Sequence, residues 1–398
     1  MTLVLLVRHG LTAGTGSVLT GRTPGIGLDD RGQDQAAALA ARLADVALDA
    51  IVTSPLQRCR ETAAAVAAVR DGHQVAITED ARFAEVAYGD WTGKPIKRLA
   101  KEPLWRVVQA HPSAARFPGP DGESLPGVQE RAVAAIRDWN ARLGPKAAYL
   151  VCSHGDVIKS ILADSLGMHL DMFQRIQVDP CSVSVIRYTP LRPFVIRMND
   201  TGTGVPRPAG AETAATIAAV RDGHPVAVTE DARFAEVAYG DWTGKPIKRL
   251  TKEPLWRVVQ AHPSAVRFPG QDGESLPGVQ ERAVAAIRDW NSRLGPKAAY
   301  LVCSHGDVIK SILADSLGMH LDMFQRIQVD PCSVSVIRYT PLRPFVIRMN
   351  DTGTGVPKPA GSAGAESAAE RPGTANGQAA GQSGLSEGDA VIGGGAGG

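Results

Sequence analysis

Residues 61–210 of this chain recur as residues 212–361, at a fixed offset of 151 and with nine substitutions, among them Val66 to Ile217 and Ala141 to Ser292. The period is far longer than that of solenoid or propeller repeats. The repeat is therefore a duplicated piece of a domain. Residues 1–60 have no second copy, so any chemistry that draws on both segments is complete only once.

With 398 residues, 44% of them hydrophobic and 21% charged, the chain is of an ordinary globular type and long enough for two domains. Its 43 Lys and Arg against 41 Asp and Glu leave a net charge of +2, and the basic residues are scattered. Neither a nucleic-acid footprint nor a membrane-binding patch is expected, and a small molecule is the expected partner. The opening MTLVLLV run is too short for a signal sequence or a membrane span and leads directly into Arg8 and His9. A cytoplasmic protein is expected. The five cysteines, Cys59, Cys152, Cys181, Cys303 and Cys332, have no CxxC spacing and read as reduced thiols.

Strand and helix patterns alternate through the first 200 residues. Leu3–Val7 reads as a strand, 31–43 as an Ala-rich helix, 50–54 as a strand and 58–69 as a helix. After an irregular middle come a helix near 128–143, with Val133, Ile136, Asn140 and Leu143 on one face, a strand at 148–152 and a helix at 156–166. Strands at 182–187 and 194–197 close the series. This alternation predicts an α/β fold with a largely parallel central sheet and helices on both faces. Residues 1–206 form the expected complete domain, 207–211 a linker, 212–357 a truncated second copy, and 358–398 a disordered tail rich in Gly, Ala and Ser.

In an open α/β sheet, ligands bind at the carboxyl ends of the strands. The first strand ends in Arg8-His9-Gly10, the second runs through Ser54 to Arg58, and a later one ends in Ser153-His154-Gly155. Two histidines and two arginines thus meet at one edge. Neutral imidazole is a nucleophile near pH 7, and guanidinium forks match phosphate oxygens. Phosphoryl transfer also needs an acid for the leaving alkoxide, and Glu85 in FAEVAYGDWTG is the candidate. Lys94, Lys97 and Arg98 read as a solvated helix face, His73, His111 and His169 as surface residues, and Trp91 and Trp105 as packing.

The blocks LVLLVRHGLT, LTGRTPGIGLDDRGQDQA, SPLQRCRET, the Glu85 segment, GESLPGVQER and VCSHGDVIK occur in that order. Together they resemble the phosphoglycerate mutase-like branch of the histidine phosphatase superfamily, with the nearest likeness to a group of actinobacterial phosphomutases. The resemblance covers residues 1–200. It implies that His9 is the nucleophile forming a phosphohistidine, that Arg8 and Arg58 clamp the phosphoryl group, and that His154 donates to the same oxygens. Glu85 is implied as the acid that then activates water or a second acceptor, and Thr12, Thr20 and Gly21 match positions lining the substrate phosphate. No cofactor and no metal are implied. Departures fall at Leu11, Thr15 and Val86, where the family's glycolytic mutases carry polar residues. They favour a phosphomonoesterase acting on a small phosphorylated metabolite over a mutase that returns the phosphoryl group to substrate. A non-catalytic module that binds a phosphorylated ligand is the third reading.

The second copy repeats Glu85 as Glu236 and His154 as His305, but has no counterpart of Arg8, His9 or Arg58. One active site is therefore expected. Without two strands and a helix, residues 212–356 are expected to expose apolar faces and unpaired edges. They would be partly ordered at best, or would self-associate or dock against a partner.

Overall fold

The computed structural model describes residues 1–70, 75–202 and 229–353. The expected linker at 207–211, the expected tail at 358–398 and His73 lie outside the described residues. Strand β1, Thr2–Arg8, is apolar at five successive positions, Leu3 to Val7, without polar alternation. A strand of that pattern must be covered on both faces, and β1 occupies the middle of the sheet. It pairs in parallel with β4 (Ala148–Ser153), which pairs with β2 (Ala50–Thr53), which pairs with β3 (Ile77–Glu79). On its other side β1 pairs antiparallel with β5 (Val183–Tyr188), and β5 with β6 (Pro193–Asp200).

Helices cover both faces. Leu3, Leu5 and Val7 point into a core layer with Ala36 and Leu39 of α1 (Asp30–Leu43) and Cys59 and Ala63 of α2 (Gln57–Ala68). Val4 and Leu6 point the other way, into a layer that holds Val128, Ala132 and Ile136 of α5 (Leu125–Leu143) and Val157 and Ile161 of α6 (Gly155–Leu166). The buried stripe of α5 runs through Val128, Ala132, Ala135, Ile136 and Trp139, whereas Asn140 is half-buried and bonded to the Tyr149 hydroxyl. Between β3 and α5 the chain forms 3₁₀ turns and two short helices, α3 (Ile96–Leu99) and α4 (Pro103–Ala110). Trp91 is buried there, its ring centroid 6.2 Å from Trp105 and 5.6 Å from Phe117, so both tryptophans serve packing. No helix among the described residues is long and apolar enough to cross a membrane.

The second copy packs on the first within the chain. Its last two strands, β7 (Val334–Tyr339) and β8 (Pro344–Asp351), extend the sheet to eight strands in the order β3-β2-β4-β1-β5-β6-β8-β7. At the junction Met198 of β6 lies opposite Met349 of β8, its own counterpart in the repeat. Contacts about that point are exchanged in pairs. Arg175 Nη1 donates to Ser316 O and Arg326 Nη1 to Ser165 O, each at 3.1 Å. Asn199 Nδ2 donates to Ile347 O and Asn350 Nδ2 to Ile196 O, each at 2.8 Å. Such reciprocity is the signature of a two-fold, isologous interface, here formed between two halves of one polypeptide.

Where the second copy lacks its partners, the strand is lost. Residues 148–153 form β4 and are buried throughout, whereas the identical AYLVCS at 299–304 forms no strand. Leu150 is fully buried, and Leu301 is 79% exposed.

Candidate active site

His9 follows β1 at the carboxyl edge of the sheet, and its backbone N–H donates to Ser153 O at 3.1 Å. Gly10 is required behind it, because a Cβ there would stand 2.6 Å from Gly32 O in the first turn of α1. The His9 Nδ1–H donates to Gly10 O at 2.7 Å, since a carbonyl can only accept. This fixes the tautomer that leaves Nε2 with its lone pair facing the other site groups.

Arg58, in the first turn of α2, is almost fully buried. Its Nε donates to His9 Nε2 at 3.2 Å, and its Nη2 donates to Gly21 O at 2.8 Å and reaches His154 Nδ1 at 3.3 Å. The buried Nη1 of Arg58 and Nε of Arg8 have no hydrogen-bond partner in the protein, although Arg8 Nη1 donates to Val178 O at 2.7 Å. Two buried guanidinium donors without protein acceptors suit an anion.

His154 is the cap residue of α6, fully buried, with its ring centroid 5.1 Å from that of His9. A guanidinium cannot accept, so His154 Nδ1 accepts from Arg58. The Nε2 side faces Ser54 Oγ at 2.8 Å and Cys59 Sγ at 3.4 Å. Ser54 thus orients the second histidine.

Glu85 brings its Oε2 to 3.7 Å from His154 Nδ1, and its side chain is only 13% exposed. Its Oε1 accepts the Val86 N–H at 2.9 Å. The loop is anchored from below, where Arg131 of α5 donates to Glu85 O and forms an ion pair with Glu123 at 2.6 Å. Tyr88 OH donates to Asp156 Oδ2 at 3.1 Å beside it.

The electrostatics divide these groups. Burial first, then the charges of Arg58 and Arg8, hold His9 well below the usual histidine range, against the pull of Gly10 O. Burial, then His9 and the arginines, do the same to His154. Burial and the nearby Asp156 carboxylate push Glu85 up to about 7. Near neutral pH the site therefore holds two neutral imidazoles, two cationic guanidiniums and a carboxyl poised between acid and base.

These groups open into a cleft of about 400 Å³ lined by Arg8, His9 and Glu85; Arg58 and His154 do not line it but are tied to it through the Arg58 contacts with His9 and His154. Thr12, Thr20 and Gly21 line the same cleft, and the Thr12 hydroxyl is 3.0 Å from that of Thr15. Lys94, Lys97 and Arg98 do not line it. Six of the eight candidate site residues thus line this cleft, and the other two, Arg58 and His154, are bonded to one another beside His9. Sequence reasoning missed Ser54, Tyr88, Asp156, Lys159 and Asp179. It also missed Arg338 and Phe345, which the second copy contributes to the wall. The Arg338 guanidinium lies 5.3 Å from the Phe345 ring centroid and is exposed. A second hollow of about 350 Å³, between α1 and α2, contains none of the catalytic candidates.

The chain is similar to known proteins. A profile of the histidine phosphatase superfamily (branch 1) matches residues 4–201 and again 210–352. Phosphoserine phosphatase 1 of Hydrogenobacter thermophilus is 29% identical over 212 residues, which are 50% of this chain and 93% of the relative. A probable phosphoglycerate mutase, GpmB of Yersinia enterocolitica, is 30% identical over 190 residues, 47% of this chain and 86% of that protein. Among solved structures, Bacillus stearothermophilus YhfR is 28% identical with a TM-score of 0.43, covering 49% of this chain and 95% of its own. The alpha-ribazole phosphatase of Shigella flexneri is 23% identical with a TM-score of 0.44, covering 52% and 100%.

Proposed function

The chain belongs to branch 1 of the histidine phosphatase superfamily and is an enzyme of its phosphatase or phosphomutase kind, and from that premise we propose that it hydrolyses a small phosphomonoester through a phosphohistidine on His9, with no metal ion. The observation that carries the proposal is the continuous set His9 Nε2, Arg58, His154 Nδ1 and Glu85 Oε2, linked by separations of 3.2, 3.3 and 3.7 Å.

In the first step His9 Nε2 attacks phosphorus while the ester P–O bond breaks, and protonated Glu85 gives its proton to the departing alkoxide. Arg8 and Arg58 neutralise the equatorial oxygens, and His154 donates to them from Nδ1 once Arg58 turns to the phosphoryl group and the ring proton moves from Nε2, where the Ser54 hydroxyl then donates. In the second step the Glu85 carboxylate takes a proton from water, which attacks phosphorus as the P–N bond breaks. Inorganic phosphate leaves and both groups are restored. A carboxyl near 7 can serve in both directions.

Hydrolysis is preferred to mutase transfer because Val86 is completely buried and offers the substrate no polar contact. The test is phosphate release from a panel of phosphomonoesters with chelator present, comparing wild type with His9→Ala. Release that vanishes in the variant supports the reading. No release, with phosphate trapped on His9 and passed to an added alcohol, would replace it with the mutase. Release that chelator abolishes would overturn the metal-free mechanism.

A further inference from the structure

In the first copy β1 is held on both sides, with Leu3 to Arg8 in register with Ala148 to Ser153 of β4 and Thr2 to Val7 with Tyr188 to Val183 of β5. The second copy carries both receiving segments unchanged: AYLVCS at 299–304 and VSVIRY at 334–339. Among the described residues it puts no strand between them. Leu301, Cys303 and His305 are exposed, and Val334 and Val336 are half-buried where Val183 and Val185 are fully buried. The core layer under α1 and α2 has no counterpart among the described residues of the second copy, because its members all lie between Leu3 and Ile196.

The acid half of the site is nonetheless built. His305 Nδ1 lies 3.3 Å from Glu236 Oε2, and Tyr239 OH donates to Asp307 at 3.2 Å. Arg282 donates to Glu236 O at 3.3 Å, as Arg131 does to Glu85 O, and Ser304 Oγ donates to Phe234 O at 2.7 Å, as Ser153 does to Phe83 O.

We infer that the second copy is a receptor for a further copy of residues 1–60, and that seating this strand–helix–strand unit assembles a second phosphoryl-transfer site from the incoming Arg8, His9 and Arg58 and the resident Glu236 and His305. The occupant follows from the receiving surface, which is the same sequence, residue for residue, that holds Leu3 to Arg8 in the first copy. Insertion would add two ladders at once, one on each side of the incoming strand. The chain's own residues 1–60 are already seated in the first copy, between β4 and β5, so the occupant is the same unit supplied by another molecule. Docking stands independently of the chemistry, whereas catalysis at the second site rests on the phosphohistidine reading above.

The test uses the full-length chain carrying His9→Ala and Glu85→Gln, so that the first copy stays impaired even if its N-terminal unit is exchanged. It is diluted from urea together with an excess of a wild-type polypeptide of residues 1–69. Amide exchange at 299–304 and 334–339 is expected to slow at least tenfold, and phosphate release to appear. Release should disappear again when the receptor also carries Glu236→Gln, and protection should disappear with Leu301→Asp, a change at an exposed position that leaves folding intact. Unchanged exchange under saturating polypeptide, or protection of 299–304 already equal to that of 148–153 without it, would overturn the receptor. Protection without release, when the wild-type chain is active, would overturn the second site. An inactive wild type would instead fault the phosphohistidine reading and leave the exchange result to decide the receptor.

Discussion

Replacing Glu85 by Gln should make the protein more stable while it destroys activity, and the gain should depend on pH. The carboxyl is ordinarily near 4.5, and burial with the Asp156 charge raises it to about 7 in the folded state. An acid raised on folding contributes stability that is fully present below its unfolded value and is lost as pH rises through the folded one. The gap between the two values corresponds to about 3 kcal/mol in all, of which about 2 to 3 kcal/mol falls between pH 5 and pH 8. Gln keeps an oxygen for the Val86 N–H and cannot ionise, so it avoids that loss. Urea unfolding of both proteins at pH 5, 6, 7 and 8 should show similar stability at the acid end and a widening advantage for the variant toward pH 8. Phosphate release should fall by about a hundredfold or more, as for loss of a positioned acid. A stability difference that stays flat across this range would refute the assignment of a proton to Glu85 near neutrality.

Three further outcomes are expected. Ser54→Ala removes the hydroxyl at 2.8 Å from His154 Nε2; kcat should fall by up to about tenfold with KM nearly unchanged, and Ser54→Thr should restore it, since one net hydrogen bond is worth about 1 kcal/mol. Arg338→Ala should raise KM about fivefold for substrates bearing an anionic group beyond the ester and leave kcat alone, because an exposed charge contact contributes about 1 kcal/mol of uniform binding; an equal effect on uncharged alcohols would refute it. Leu150→Ala should cost about 3 to 5 kcal/mol in thermal unfolding, whereas Leu301→Ala, the same residue in the same local sequence, should stay within about 0.5 kcal/mol.

How much of this was legible in the sequence depends on where each signal resides. The strands and helices that carry His9, Arg58 and His154 were readable because each couples a strong apolar period to a polar terminus, and the six ordered blocks brought Glu85 with them. The helix at Pro103–Ala110 was not read, although Pro103 at its first turn is a start signal. The strand Ile77–Glu79 was not read either, being three exposed residues on an edge. Ser54 passed as a strand end, since nothing local says that its hydroxyl meets a residue 100 positions away. Arg338 and Phe345 were beyond any local pattern, because they reach the cleft only through the pairing of β6 with β8. That pairing also joins the second copy to the first in one sheet, while Leu301 stays exposed, as the absence of its partner strands leads one to expect.

The reciprocal junction has a consequence for how the wall of the cleft behaves in solution. A two-fold contact between separate molecules comes apart on dilution, but here the two faces share one polypeptide, so the concentration at which each meets the other does not change when the protein is diluted. None of the nine positions at which the repeats differ falls on Asp164, Ser165, Arg175, Ile196, Met198 or Asn199, so both faces remain matched. Arg338 and Phe345 therefore stay beside His9 at nanomolar protein as they do at millimolar, and the cleft keeps the same walls however sparse the protein becomes.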